Sequence, residues 1–269
     1  MKLAALLLVL TTAPSWEQVG PGVWQREMPM AKSGPLSAVQ AIVVRIDPAK
    51  VQFALDTATR DYGTRGAWTS DQLPANAMLA ANTGQFIGGV MWGWVVRDGT
   101  ELSAPGTGTL AMSFVVDSSG APALLTPAET ATRRNHVRLA FQSYPALLTD
   151  DGSAPFELQA RGRGVNLDHR DSRLAIGQLA DGSIVIVLTR FTALGSAGAT
   201  MPFGPTVGEM SLFMQTLGCQ RAMLLDGGIS SQLSVRQATG DVRHWTNWRK
   251  VPMGLVVTPR VASASASGR

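Results

Sequence analysis

The chain has 269 residues, of which 45% are hydrophobic and 16% charged, and its formal net charge is +4. This describes an ordinary folded protein with a sparsely charged surface and enough length for a sizeable core. The arginines are scattered and no acidic or basic block interrupts the chain, which excludes the clustered basic face of a nucleic-acid binder before the C-terminal region.

At the N-terminus Lys2 precedes an apolar run over residues 3–10, followed by Thr11-Thr12-Ala13-Pro14-Ser15. This is the layout of a secretory signal over residues 1–15, with cleavage after Ala13 or Ser15, and it predicts an exported protein, periplasmic or secreted. The plainer reading is a hydrophobic first strand. The run is too short to cross a bilayer, which takes roughly 20 apolar residues, and no other segment reads as transmembrane.

Residues 16–38 carry Gly and Pro at close intervals and read as an extended lead-in. Val39–Ile46 is a β-rich run ended by Asp47-Pro48, with residues 51–55 suited to pair beside it. Thr69 and Gln72 frame a short helical turn that Pro74 stops. An apolar run over 77–81 ends at Asn82-Thr83-Gly84-Gln85-Phe86, and a loop rich in glycine and tryptophan, containing Trp92, follows. Further strands are expected over 94–97, 110–117, 137–141 and 146–149, and a hairpin over 174–189 turns at Asp181-Gly182.

Residues 204–233 carry the richest local signals. Thr206 and Glu209 have the spacing of a capping box, Val207, Met210, Met214 and Leu217 recur at helical spacing, and Gly218 is the expected stop. A buried strand then ends abruptly at Asp226-Gly227-Gly228, followed by Ser230-Ser231. A carboxylate beside two residues without side chains suits a ligand that approaches closely. An Asp-Gly hairpin is the plainer reading, but a simple hairpin needs neither the second glycine nor the serines. A hairpin across Thr239-Gly240 and a last strand over 253–258 follow, and residues 259–269, which alternate Ser and Ala from Ala262 on, read as a disordered tail. Many strands, few helices and no regular strand–helix alternation predict an α+β fold, mixed β-sheets with a few flanking helices, in a single domain over 39–258.

Cys219 is the only cysteine, so no disulfide can form within the chain. His136, His169 and His244 share no ligand spacing, so no metal site and no cofactor are expected; a divalent ion near Asp226 is chemically conceivable but no residue pattern supports it. Trp245, Trp248, Arg249 and Lys250 form the one aromatic–basic cluster, read as strand packing with a solvated edge.

Three segments taken in order resemble the phosphodiester glycosidase family. Asn82-Thr83-Gly84-Gln85-Phe86 resembles an Asn-Gly-Gly-Phe-Phe motif, Arg173-Leu174-Ala175-Ile176-Gly177 an Arg-Thr-Ala-Ile-Gly segment, and Leu225-Asp226-Gly227-Gly228-Ile229-Ser230-Ser231 a Leu-Asp-Gly-Gly-Gly-Ser-Ser turn. Thr83, Gln85 and Ile229 depart from the pattern, whereas Asn82, Arg173, Glu209, Asp226, Gly227, Gly228 and Ser230 keep its residue types. The resemblance implies hydrolysis of a sugar C1–O–P link in a glycan or cell-envelope phosphodiester, without nucleic acid as partner.

The roles that follow are those the resemblance implies. Asp226 is the carboxylate near C1, as nucleophile or as base for water, and Glu209 is a second acid or a substrate clamp, against its capping role. Arg173 would grip the phosphate with its planar fork, where a strand-edge surface arginine is the plainer reading. Asn82 would hold a sugar hydroxyl or the phosphate, Gly227, Gly228 and Ser230 would donate to an anion, and Trp92 would stack on a sugar face. Two alternatives stand beside this: a non-catalytic glycan- or anion-binding domain, favoured by Thr83 and Gln85, and another envelope polysaccharide hydrolase using the same aspartate.

Overall fold

A computed structural model of the protein describes residues 15–57, 68–158, 165–193, 195 and 200–260. Residues 1–14, which hold most of the segment read as a secretory signal, the polar stretch 58–67 and the tail from 261 lie outside the described residues.

The central strands, Val39–Ile46 and Ile184–Phe191, are apolar on both faces, and both faces are covered. They pair antiparallel along their full length, from Ile184 opposite Ile46 to Phe191 opposite Val39. Around them a seven-stranded sheet runs in the order Glu17–Gly20, Val23–Pro29, Val39–Ile46, Ile184–Phe191, Leu174–Leu179, Cys219–Leu224 and Ala146–Leu148. Residues 16–38 therefore do more than lead in. Their two strands extend this sheet, with Val23 opposite Ile46 and Pro29 opposite Gln40, because Val19 and Val23 have a core to enter.

A second sheet orders Pro122–Leu125, Met112–Asp117, Val137–Ser143, Val95–Arg97 and Thr100–Ser103, and a third orders Val242–Trp245, Leu233–Arg236, Leu79–Asn82, Met253–Pro259 and Val51–Thr57. All three sheets contribute to one core: Ile42 and Ile186 from the first, Phe114 and Phe141 from the second, Leu79, Leu233 and Leu255 from the third. At its centre Phe53 meets Phe114 edge-on at 5.5 Å, and Phe114 meets Phe141 at 5.3 Å. Burial of that apolar surface is the main favourable term in a chain with no cross-link.

The α+β expectation does not hold. Among the described residues there are 19 strands and only two α-helices, α1 (Pro127–Arg133) and α2 (Val207–Thr216), and the strand pairings are antiparallel rather than mixed. The fold is mostly β because the apolar faces of the sheets are buried chiefly by one another. The helices do not form a layer. α2 packs on the outer face of the seven-stranded sheet, setting Val207, Met210, Phe213 and Met214 against Leu147, Ala175, Val187 and Leu224. Its capping box is formed as the sequence predicts, and Gly218 ends it with φ of 84°. α1 has its own capping box, from Thr126 and Glu129.

Candidate active site

Asp226 lies where the seven-stranded sheet meets the third sheet. Leu225 N–H still donates to Leu174 O at 2.8 Å, in the first sheet, but Asp226 N–H donates to Thr83 O at 3.0 Å, just past the third sheet's strand Leu79–Asn82. Buried Asn82 ties the crossing together: its Nδ2 donates to Asp226 O at 2.8 Å and its Oδ1 accepts from Gln232 N–H at 2.7 Å. Both ends of the turn over 226–232 are thus held by one amide, whose orientation its two partners fix.

The two glycines serve the protein's own packing. A Cβ on Gly227 would lie 2.8 Å from Ser172 O and 3.7 Å from Arg173 Cα. Gly228, at φ of 57°, would place its Cβ 2.6 Å from Asp171 Oδ2, and its N–H donates to Ser172 O at 2.7 Å. The Asp-Gly-Gly turn is therefore pressed against residues 171–173, and Asn247 Nδ2 seals it by donating to Gly228 O at 2.7 Å. Buried Ser231 donates to the same carbonyl at 2.8 Å.

Charge collects at this junction. Burial pushes the Asp226 carboxyl up to about 6; the Ser230 hydroxyl and the charge of Arg249 work against it, and the charge of Asp171 adds to it. Asp171 is also raised, by burial, against the opposing charges of Arg173 and His169, whose Nε2 lies 3.4 Å from Oδ2. Burial lowers Arg173, and the Asp171 charge partly restores it. The Arg173 fork is partly occupied, Nε donating to Pro205 O at 3.1 Å and one terminal nitrogen to His169 O at 2.6 Å.

Asn82, Arg173, Asp226, Gly227, Gly228 and Ser230 thus share one junction. Glu209 sits one layer out. It accepts both terminal nitrogens of Arg170 at 2.7 Å while its Oε2 also accepts Thr206 N–H at 2.8 Å, closing the cap of α2. Burial works to raise its carboxyl, but the Arg170 and Thr206 hydrogen bonds prevail and hold it below the usual range. Trp92 lies elsewhere, facing Tyr144 at 6.1 Å between ring centroids in a cavity of about 450 Å³ that Gln85, Ile87 and Leu110 also line.

Residues that sequence reading passed over complete the junction. Asp171 stands two positions before Arg173, the one hint of it in the chain. Arg249, read as a solvated edge, lies over the Phe86 ring at 4.6 Å, and its N–H donates to Ile229 O at 3.0 Å, which brings its charge to Asp226. Among the described residues no three His, Cys, Asp or Glu side chains gather as a metal site.

The sequence model of the phosphodiester glycosidase family matches residues 75–258, more than half of the chain. The chain belongs to that family. As a phosphodiester glycosidase it is a glycosidase-type hydrolase, and its matched segment holds every residue of the junction. Solved structures share its fold. The catalytic domain of zebrafish N-acetylglucosamine-1-phosphodiester alpha-N-acetylglucosaminidase, auto-inhibited by its pro-peptide, is 17% identical with a TM-score of 0.64, over 93% of this chain and 85% of that one. A hypothetical protein from Synechocystis is 17% identical with a TM-score of 0.61, over 89% of this chain and 62% of that one. No curated protein matches by sequence.

Proposed function

We propose that this phosphodiester glycosidase is exported and hydrolyses a sugar-1-phosphodiester of a glycan or cell-envelope component at the Asp226 turn, releasing the sugar and a phosphomonoester. The observation that carries the reading is the carboxylate of Asp226, fixed at the end of a buried strand, raised to about 6, with Arg249 acting on it and Arg173 beside its turn. Glycosyl transfer passes through an oxocarbenium-like transition state that a carboxylate at C1 stabilises. The leaving phosphate, with a second pKa near 6, demands less protonation than an alcohol and more positive charge, which the two arginines supply. Export is supported by the Lys2 and apolar 3–10 pattern.

Incubation with a panel of glycosyl-1-phosphate esters, assaying sugar and phosphomonoester together, should give matched yields that Asp226→Asn reduces by about a thousandfold or more. No turnover across the panel, or full activity in the variant, would end this reading. Export predicts that the mature protein begins at Pro14 or Trp16 on N-terminal sequencing, and an intact Met1–Ser15 segment in the mature protein would count against it.

The alternative of a non-catalytic binding domain rested on Thr83 and Gln85. Thr83 Oγ1 donates to Met253 O at 3.2 Å, and Gln85 donates to Tyr144 O at 2.5 Å while accepting from Ser143 and Tyr144 at 3.0 and 3.2 Å. These side chains build the scaffold around the junction, which removes the reason to read their presence as lost catalysis.

A further inference from the structure

Asp171 lies beside His169 and Arg173 at the edge of the Asp226 turn. It is not on a strand, it caps no helix, and one of its oxygens, Oδ1, is buried and takes no hydrogen bond from the described residues. A buried acceptor left unpaired is costly and rare in native proteins. The surrounding structure nevertheless makes room for it. Gly228 lacks the Cβ that would stand 2.6 Å from Oδ2 and 3.1 Å from Oδ1, so the carboxylate lies directly on the Asp226-Gly227-Gly228 turn. Its backbone carbonyl is packed just as closely by Gly204, ahead of α2.

The charged groups around it divide clearly. Arg173 and His169, from its own segment, favour its ionised form. From α2, Glu209 is committed to Arg170 and to its cap. From the turn, Asp226 feels the Asp171 charge as a like charge, and has only the Ser230 hydroxyl and the exposed Arg249 to favour its ionisation. Two carboxylates at one turn, in environments this different, are how one site keeps an acid and a base together.

We propose that Asp171 is the second carboxylate of this site, the base that receives the proton of the attacking water, while Asp226 holds the proton given to the leaving phosphate oxygen. The assignment rests on the sugar phosphodiester reading above, and it exchanges the role first expected of Asp226. In the step, the water oxygen bonds to C1 and its proton passes to the Asp171 carboxylate, whose side chain is 21% exposed. The C1–O bond breaks, its electron pair stays on the phosphate oxygen, and that oxygen takes the proton from Asp226. Sugar and phosphomonoester leave, and the carboxylates return to their starting states by losing and gaining one proton each; His169 Nε2, 3.4 Å from Asp171 Oδ2 and exposed, is placed to carry one to solvent. Single displacement by water inverts the anomeric centre. Burial raises both carboxyls, Asp226 to about 6, and the Asp171 charge adds to the rise of Asp226.

Asp171→Asn tests this through activity and through titration of Asp226. Loss of a general base predicts a fall in kcat of about a hundredfold or more, with the acid limb of the pH profile abolished and the limb near pH 6 retained at lower pH. The Asp226 carboxyl, followed by 13C NMR, should titrate lower once the neighbouring negative charge is gone. Asp171→Ala, which leaves Gly228 uncrowded, repeats both measurements if the amide disturbs the melting temperature. Activity within about threefold of wild type with the acid limb intact overturns the proposal. A wild-type protein inert on every sugar-1-phosphodiester counts against the reaction instead; the pair is then judged by titration alone, and an Asp226 that titrates identically in the variant overturns it.

Discussion

Asp226 binds its proton more tightly in the folded chain than in the unfolded one, since burial moves it from 3.8 to about 6. The stability of the protonated form is present in full below the unfolded value and is lost as pH rises through the folded one, by up to about 3 kcal/mol. Asp226→Asn removes that titration. The variant should therefore melt higher than wild type at pH 7.5 and show little or no gain at pH 4, while losing turnover at both; equal melting shifts at the two pH values would contradict a raised Asp226. Asn82 is the second residue whose chemistry is specific. Asn82→Ala strands two backbone groups, Asp226 O and Gln232 N–H, and should cost about 2–4 kcal/mol in urea unfolding. Asn82→Asp keeps the acceptor for Gln232 but puts an oxygen against Asp226 O, so it should lose more activity than the alanine variant. The reverse order would mean that the Asn82 amide does not hold the turn.

At the scale of elements, α2 shows what a local signal can and cannot say. Thr206, Glu209 and Gly218 fixed its start and end because capping and a left-handed stop act within a few residues. The same Thr-x-x-Glu spacing at Thr126 and Glu129 announces α1, and a reading guided by hydrophobic period misses it because the helix is only seven residues long. Glu209 was legible as a cap and as an acid alike, and the structure adds its pair with Arg170, a contact across 39 residues that no local pattern carries. Glu209→Ala should lower stability by about 1–2 kcal/mol and leave kcat/KM within about tenfold of wild type. A loss of activity as large as that of Asp226→Asn, with the fold intact, would return Glu209 to the chemistry. The site shows the same division. Asp226 was visible because a buried strand ends there, whereas Asp171 and Arg249 reach it only through the register that sets Leu225 beside Leu174 and the loop that sets Arg249 beside Ile229.

For the whole molecule, the strands were largely legible from alternation and Asp-Gly turns, but their assembly was not. Which apolar face meets which depends on pairings such as Leu233 with Ala81 and Leu255 with Ala81, between segments more than 150 residues apart, and these close three sheets on one core. A core assembled this way, in a chain with one cysteine, should hold without any redox support. Cys219 reports on it. The thiol starts the strand that α2 covers, is 2% exposed, and lies so close to Gly177 that a Cβ there would come within 2.6 Å of Sγ. Burial pushes the thiol up to about 12, so at pH 8 both the thiolate and the access that alkylation needs are suppressed. In the native protein Cys219 should resist a thiol-alkylating reagent over hours at pH 8, react fully in concentrated guanidinium chloride, and in between label at a rate that follows unfolding measured by tryptophan fluorescence. The melting temperature should be the same with and without reductant. Rapid labelling under native conditions would show instead that α2 lifts from the sheet independently of the core, and that the helix next to the Asp226 junction opens on its own.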